Sequence, residues 1–309
     1  SLVSTSVFAG EMAVTGSASM NMSGHSGTAL NEATAFSMGN QLTFSGSGEL
    51  DNGMTVSLSF VLDQGDATPS PFDSHSVSVS SDMLGTLVFH GEGGSSAASA
   101  LDTTAAGDMW DNFNSNGGVS VTDSGPGDNS IFYTLPSLVD GLSVSASYNP
   151  SISGGASGTA GNSTELGYSA TYTGVDGLSL SYGVTDLDSA GTATDGDQTA
   201  WKASYAYGPI TVAATNSEYD VTGTASDQEV SSYKLSYAVT DAISVGYGSE
   251  SISTSTTGEL DAEYTGLNAS FTTGGMTISA AMQDGSEIAH STAVAEDVEF
   301  WSLGLSFAF

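Results

Sequence analysis

The sequence contains no cysteine and no arginine, and Lys202 and Lys234 are its only basic residues. Without cysteine the chain has neither a disulfide framework nor a thiolate for catalysis or metal binding. Against the two lysines stand 35 acidic residues, which give a formal net charge of −33. Phosphate recognition needs Lys and Arg to release counterions, and docking on anionic headgroups needs a polybasic patch. The composition therefore excludes nucleic acid as a partner and favours small cations and neutral polar solutes.

Long hydrophobic runs are absent as well. No run of 18 apolar residues occurs, so the sequence predicts no transmembrane helix. Nevertheless 39% of the residues are hydrophobic, including 12 Tyr and 12 Phe, which is too apolar for a disordered acidic segment. No Pro-rich or charged linker divides the chain, so we expect one domain over residues 1–309. A chain of this kind that enters a membrane has to do so as a closed β-barrel, since no other structure without such helices satisfies its backbone in lipid.

The first nine residues allow two interpretations. Leu2 to Ala9 is a short run of apolar and small residues that is followed by Gly10 and Glu11. Residues 1–9 fit the remnant of a signal peptide with a small residue at the cleavage site, which would imply export. They fit equally well a short first strand.

Alternation of apolar and polar residues dominates the rest of the chain. Val56, Leu58 and Phe60 have one parity, and the serines at positions 57 and 59 have the other. A period of two is the pattern of a β-strand, whose successive side chains point to opposite faces. The polar parity carries hydroxyl groups and glycine rather than charges, which is unlike the solvent face of a soluble sheet.

Sixteen such segments can be placed along the chain, with fourteen or eighteen as open alternatives. Short connections rich in Gly, Asn and Asp alternate with longer ones rich in Gly, Ser, Thr and Asp, and the longest runs from about Glu92 to Asp128. An even number of strands with short turns at one end and long loops at the other is typical of bacterial transmembrane barrels. Between Tyr264 and Leu267 the parity slips, which predicts a β-bulge or a misplaced boundary.

Aromatic residues support a membrane setting. The last segment places five large apolar side chains on one face and ends in an aromatic residue, which resembles the assembly signal of outer-membrane barrels. Tyrosines near predicted strand ends favour an aromatic girdle at the headgroup levels over ordinary sheet-core packing. They are Tyr133, Tyr148, Tyr172, Tyr205, Tyr207 and Tyr237.

Taken together, the sixteen strands, long third loop, strong acidity and terminal Phe309 resemble the general trimeric porins of Gram-negative bacteria, in particular the acidic alphaproteobacterial type. The resemblance implies an all-β fold, a 16-stranded antiparallel transmembrane β-barrel with short periplasmic turns, long extracellular loops and a constriction loop after strand 5. It implies a homotrimer in the lipid of the outer membrane that acts as a passive diffusion channel and not as an enzyme. No short motif carries the resemblance, which is one of architecture over the whole chain.

The same resemblance assigns the pore constriction. In these porins the third loop folds into the barrel and its acidic residues face arginines on the opposite wall. Here the constriction loop would be residues 92–128, with Trp110 and Phe113 as packing anchors. The arginine half is missing, and only the two lysines, both of inward parity, could replace it. The predicted constriction residues are Asp102, Asp108, Asp111, Asp123, Asp128, Lys202 and Lys234.

An acidic lumen predicts a cation-preferring channel for ions and small polar solutes, because a low-dielectric wall focuses the negative potential. Loop carboxylates are also a possible site for Ca²⁺ or Mg²⁺, although no Asp-rich calcium-binding loop is present. The four histidines fall in or beside predicted loops and match no metal-ligand spacing, so we expect them to be solvated. A substrate-selective porin is one alternative function. A secreted acidic β-rich adhesin or solenoid is another, but no fixed repeat supports a solenoid.

Overall fold

The computed structural model describes residues 12–27, 34–63, 72–116, 118–119, 121, 128–150, 163–189, 195–222, 226–290 and 297–309. Residues 1–9 and Asp123, about which the sequence made predictions, lie outside these ranges. Within them the chain forms sixteen antiparallel strands in one closed barrel, as predicted, and the alternatives of fourteen and eighteen strands are wrong.

The strands follow the predicted segments closely, most boundaries differing by three residues or fewer. Their bounds are β1 Met12–Gly27, β2 Thr34–Glu49, β3 Thr55–Asp63, β4 Phe72–Ser81, β5 Gly85–Glu92, β6 Ser130–Thr134, β7 Leu142–Asn149, β8 Ser163–Tyr172, β9 Leu178–Ser189, β10 Gly196–Tyr207, β11 Ile210–Val221, β12 Gln228–Ala238, β13 Ile243–Thr254, β14 Ala262–Thr273, β15 Met276–Ser286 and β16 Val298–Ala308. Two 3₁₀ helices, Ser99–Leu101 and Met109–Asn116, lie between β5 and β6. No helix in the described part of the chain has the length and apolar character needed to cross a membrane.

The barrel closes between its first and last strands. The register of β1 against β16 runs from Ser17 opposite Ala308 to Gly27 opposite Val298. Beyond the strand end, the Gly16 N–H donates to the Phe309 carbonyl at 2.7 Å, and the Phe309 N–H donates back at 3.0 Å. Closure removes the edge that would otherwise expose unpaired backbone groups. It also excludes the solenoid, whose strands stack without closing on one another.

Connections sort to the two ends of the barrel by length, as predicted. One end carries connections 50–54, 82–84, 135–141, 173–177, 208–209, 239–242 and 274–275, and the other carries 28–33, 64–71, 93–129, 150–162, 190–195, 222–227, 255–261 and 287–297. Every connection at the second end is longer than the connections that precede and follow it along the chain, so the predicted alternation of short and long is confirmed.

Side-chain direction alternates along the strands, with register shifts only at Val61/Leu62 and His75/Ser76 among the described pairings, where β4 meets β3 and β5. On β10 the Trp201 side chain is 41% exposed, whereas Gln198, of the opposite parity, is 0% exposed. The predicted bulge in β14 is wrong, because its register is continuous against both β13 and β15. The parity seemed to slip because Tyr264, a large aromatic residue, points into the barrel and is fully buried there. Four of the six girdle tyrosines are exposed on the outer face, namely Tyr148, Tyr205, Tyr207 and Tyr237.

Candidate functional site

The connection between β5 and β6, residues 93–129, is called the internal loop below, and its described residues from Ser96 to Phe113 pack inside the barrel. The strand β5 ends at Glu92 and β6 begins at Ser130, so the predicted bounds of 92–128 were shifted by one residue. Ala97, Ala98 and Phe113 are 0% exposed, which is possible only if the loop packs against the inner wall. The residues that contact the loop therefore define the inner face of each strand.

Backbone N–H groups of the loop donate to wall side chains on successive strands. Such bonds attach a loop without requiring charged groups, because a wall hydroxyl can accept while its own hydrogen turns elsewhere. The donors and acceptors are Ala97 to Ser147 Oγ on β7 at 2.7 Å, Ala105 to Thr215 Oγ1 on β11 at 3.0 Å, and Ala106 to Ser232 Oγ on β12 at 2.9 Å. The loop thus follows the inner wall around the barrel rather than crossing it at one point.

Wall glycines form a track beneath the loop. A Cβ on Gly183 would lie 2.8 Å from Leu101 Cδ1, and one on Gly248 would lie 2.9 Å from Ala106 Cβ. Three further glycines would meet loop atoms within about the same distance, and all five occupy inward positions: Gly167 on β8, Gly183 on β9, Gly248 on β13, Gly266 on β14 and Gly285 on β15. A glycine in a strand often marks close approach of another backbone. The inward parity of these glycines is a signal in the sequence that could have revealed the path of the loop.

The second half of the loop packs in an apolar cluster inside the barrel. Phe113 lies with its ring centroid 5.2 Å from that of Tyr264 and 6.2 Å from that of Phe300. The cluster consists of Ala106, Met109, Phe113, Tyr219, Val230, Ile252, Ala262, Tyr264, Ile288, Val298 and Phe300, with Trp110 packed against it. Many inward positions of β11–β16 that the loop covers are thus apolar, beside the hydroxyl groups of Thr215 and Ser232 that bind it. The expectation of a hydroxyl-lined lumen did not include these apolar positions.

The prediction that the histidines are solvated is wrong for two of them. His25 points inward from β1, where its Nε2 lies 2.7 Å from the carbonyl oxygen of Asn112 in the loop. Its ring centroid is 5.1 Å from that of Phe300, so it also packs against the apolar cluster. His290 is buried, and its Nδ1 lies 2.7 Å from the Leu260 carbonyl oxygen.

The structure brings two of the predicted acidic residues together near the wall. Asp102 accepts a hydrogen bond from the side-chain amide of Gln198 on β10. Asp108 Oδ1 accepts from the Thr104 backbone N–H at 2.9 Å. The carboxylates of Asp108 and Asp102 both attract the ammonium group of Lys202.

The other acidic residues are placed differently. Asp111 is exposed and accepts from the Asn114 side chain at 3.1 Å. Asp128 lies at the base of the loop, where it accepts from the Gly93 N–H at 2.9 Å. In the described residues, no group of three or more His, Cys, Asp or Glu side chains is arranged to hold a metal ion. Binding of Ca²⁺ or Mg²⁺ by loop carboxylates stays a prediction.

Both lysines lie on the inner face, but on the wall that carries the loop. Lys202 on β10 is opposite Thr215, which binds the loop, and Lys234 on β12 is opposite Gly248 of the glycine track. They therefore do not lie across the pore from the loop, where the resemblance places the arginines. Inward parity distinguishes the two faces of a wall but does not say which part of its circumference the loop covers.

The inner face of β1–β4 is of a different kind. Serine and threonine occupy most of its inward positions, and serines pair across strands, as with Ser57 opposite Ser78. Since the chain contains only two basic residues, both on other strands, this part of the wall has no cationic group. The lumen is thus bounded by acidic loop residues on one side and, on the other, by a wall rich in hydroxyl groups that has no basic residue.

Comparison with known proteins identifies this architecture. Residues 1–252 match the family described as Gram-negative porin. No curated protein matches the chain at the level of sequence.

Solved porin structures share the fold over nearly the whole chain. A porin refined at 1.8 Å resolution superposes with a TM-score of 0.71 at 19% identity, covering 97% of this chain and 100% of its own. The anion-selective porin of Comamonas acidovorans gives 0.71 at 17% identity, covering 97% and 99%. An engineered variant of the Rh. blastica porin gives 0.68 at 18% identity, covering 97% and 100%.

Proposed function

The chain belongs to the Gram-negative porin family and is an outer-membrane β-barrel, and from this premise we propose that it forms a water-filled, cation-preferring channel for passive diffusion of ions and small polar solutes. A barrel of about sixteen strands is too wide for its own side chains to fill. The internal loop occupies one side of the lumen, and the hydroxyl-lined wall faces what remains. This arrangement supports diffusion through a constricted aqueous path and requires no catalytic group.

One observation carries the proposed selectivity. The loop presents Asp102, Asp108 and Asp111, while the wall of β1–β4 that faces it has no basic residue. In the low-dielectric surroundings of a barrel such carboxylates concentrate cations and repel anions. Lys202 compensates part of this charge, but the formal net charge of −33 leaves the acidic groups in large excess.

Family membership does not decide the sign of the selectivity. The Comamonas acidovorans porin, of similar fold, is described as anion-selective. The proposal therefore depends on the charges of this chain, and the measurement must be made on it.

Reversal potentials across planar bilayers under a KCl gradient test the proposal. We expect a potential of the sign for K⁺ preference, which decreases as salt rises because the Debye length falls from about 10 Å at 0.1 M to about 3 Å at 1 M. Asp102→Asn should reduce the preference. Asp197→Asn, which removes an equal charge from the exposed outer face of β10, is the matched control and should leave it unchanged. A reversal potential of the sign for Cl⁻ would overturn the proposal.

We also propose that the porin is a homotrimer whose copies associate through the outer faces of β1–β3. These faces carry no Tyr, Trp or charged side chain, whereas Phe36 is 81% exposed and Met38 is 68% exposed. A wall in contact with lipid usually carries aromatic girdles at the headgroup levels, as the outer faces of β7–β12 do. Large apolar side chains without a girdle favour contact with protein.

Matched methionines test this assignment. Met38 on β2 and Met282 on β15 are 68% and 69% exposed. Met38→Trp should lower the trimer fraction in unboiled gels and chemical cross-linking, because the larger ring has no space in a packed interface. Met282→Trp should leave that fraction unchanged, since lipid accommodates the ring. Equal trimer fractions for the two variants, or a wild-type monomer, would contradict the proposal.

A further inference from the structure

A buried carboxylate holds the internal loop at its midpoint. Glu250 points inward from β13 and is 1% exposed, covered by the loop. Its Oε2 accepts a hydrogen bond from the Thr104 hydroxyl at 2.6 Å, and its Oε1 accepts from the Trp110 N–H at 3.3 Å. Burial of a carboxylate is unfavourable unless hydrogen bonds satisfy its oxygens. Both donors come from the loop, so Glu250 is satisfied only while the loop stays docked.

Thr104 is the central group of the loop segment that meets Glu250. Its hydroxyl donates to Glu250 and accepts from the N–H groups of Gly107 at 3.0 Å and Asp108 at 2.9 Å. A hydroxyl has one hydrogen and two lone pairs, so its full capacity is used. The Thr104 N–H in turn donates to Asp108 Oδ1 at 2.9 Å. The turn formed by residues 104–108 is therefore organised around the same side chain that binds the wall.

This contact joins the two halves of the loop. Before it and directly beside it, the backbone N–H groups of Ala97, Ala105 and Ala106 donate to neutral wall hydroxyls. After it, the helix Met109–Asn116 packs in the apolar cluster. Among the wall contacts described above, the bond from Thr104 is the one that a loop hydroxyl donates to a buried carboxyl group, and its length is 2.6 Å.

From this geometry we infer that Glu250 is a positioning residue, which holds the internal loop against the wall through Thr104 and thereby sets the free cross-section of the pore. The inference rests on the proposed function, because a cross-section matters only if the barrel conducts. Glu250 does not act on permeating ions by contact, since the loop covers it. Its effect on conduction is transmitted through the position of the loop.

Single-channel recording of four variants tests the inference. Thr104→Val keeps the shape of the side chain but removes the hydroxyl, and Glu250→Ala removes the acceptor. Each should raise the fraction of time spent in a wider, noisier conducting state roughly tenfold, the factor that corresponds to the loss of one buried hydrogen bond. Thr104→Ser retains the hydroxyl and should behave as wild type. Glu218→Ala, which removes an exposed carboxylate from the outer face of β11, is the matched control and should also behave as wild type.

A double-mutant cycle separates this contact from a general loss of charge or stability. If the two groups act through one hydrogen bond, Thr104→Val together with Glu250→Ala should add little to either single change. Additive effects, or a Glu218→Ala variant that resembles Glu250→Ala, would overturn the inference. A heat-dependent shift in gel mobility verifies that each barrel is folded, and Thr104→Val, which lies outside the strands, covers the case in which Glu250→Ala fails to fold.

Protease protection measures loop docking without conduction. Chymotrypsin should leave the peptide bond after Trp110 intact in wild type, Thr104→Ser and Glu218→Ala, and should cleave it in Thr104→Val and Glu250→Ala. If the wild-type barrel fails to conduct while this pattern holds, the proposed function is wrong and the docking contact stands. If protection is the same in all variants, the docking contact is wrong whatever the conductance.

Discussion

The inner wall of the barrel has two different halves, although both are built from strands in which inward and outward residues alternate. Strands β7–β16 carry the internal loop and turn glycines, apolar side chains and the charged residues Lys202 and Glu250 toward it. Strands β1–β6 face the lumen mainly with serine and threonine. On the outside both halves present apolar residues, although the exposed Tyr and Trp of β7–β12 have no counterpart on β1–β3. The difference that involves the loop lies at inward positions.

The difference teaches that inward positions are chosen by what they contact rather than by a general need for polarity. Where water is the neighbour, a hydroxyl is sufficient. Where the loop is the neighbour, the wall has either a glycine, which leaves space for the loop, as at Gly183, or an aromatic ring that packs against the loop, as at Tyr264. Protein interiors are close-packed. The half that the loop covers (β7–β16, the covered half) should therefore tolerate substitution much less well than the half that faces water (β1–β6, the open half).

The largest difference should come from the aromatic anchor of the loop. Phe113→Ala removes a fully buried ring and should destabilise loop docking by about 3–5 kcal/mol, the usual cost of such a truncation. Chymotrypsin cleavage of the loop in folded barrels measures the effect. Phe132→Ala is the matched control, because Phe132 also points inward but is only half-buried, on β6. Equal sensitivity of the two variants to cleavage would show that the halves do not differ in packing.

Much of the fold could be predicted because strand pattern and membrane position depend on local sequence. Parity placed Trp201 outside and Lys202 inside, and turn residues set most strand boundaries. The prediction from parity was wrong at Tyr264. The rule that apolar residues face lipid does not hold there, because this side chain packs against the loop. The position of the loop along the circumference could not be predicted, since it depends on contacts between residues far apart in sequence, such as Ala106 with Ser232.

Part of the candidate site could have been found from the sequence. A glycine of inward parity within a strand, such as Gly248, indicates close approach of another chain segment, and the five on β8–β9 and β13–β15 mark two parts of the path of the loop. Glu250 offered a second signal, an acidic residue of inward parity within a strand. Its partner Thr104 could not be identified, because nothing in a polar loop distinguishes one threonine from another.

A smaller difference should appear when a methyl group is added to a glycine in each half. In Gly248→Ala the new Cβ would lie 2.9 Å from Ala106 Cβ, whose residue is held by its backbone bond to Ser232. In Gly39→Ala on β2 the new Cβ would lie 2.9 Å from Ser19 Oγ, which can rotate away. We expect the first change to cost about 1–3 kcal/mol as overpacking and to raise the conductance by displacing the loop.

The second change should alter neither the conductance nor the protection of the loop. Thermal unfolding in detergent, read together with single-channel conductance, compares the two variants at equal added volume. A Gly39→Ala variant as impaired as Gly248→Ala would mean that the wall glycines reflect strand geometry rather than the presence of the loop.

The smallest effect is expected from removing either of the two lysines of the covered half. Lys202→Gln and Lys234→Gln each remove one positive charge from the inner wall, so both should increase the K⁺ preference. The increase should be less than about fivefold in permeability ratio, since a single charge contributes roughly 1 kcal/mol at contact distance in water. Lys202 is attracted by Asp102 and Asp108, so its removal should also loosen the loop. Reversal potential reports the shared effect, and open-channel noise should rise for Lys202→Gln alone. Equal noise in the two variants would show that Lys202 contributes only its charge to the lumen and does not help to hold the loop.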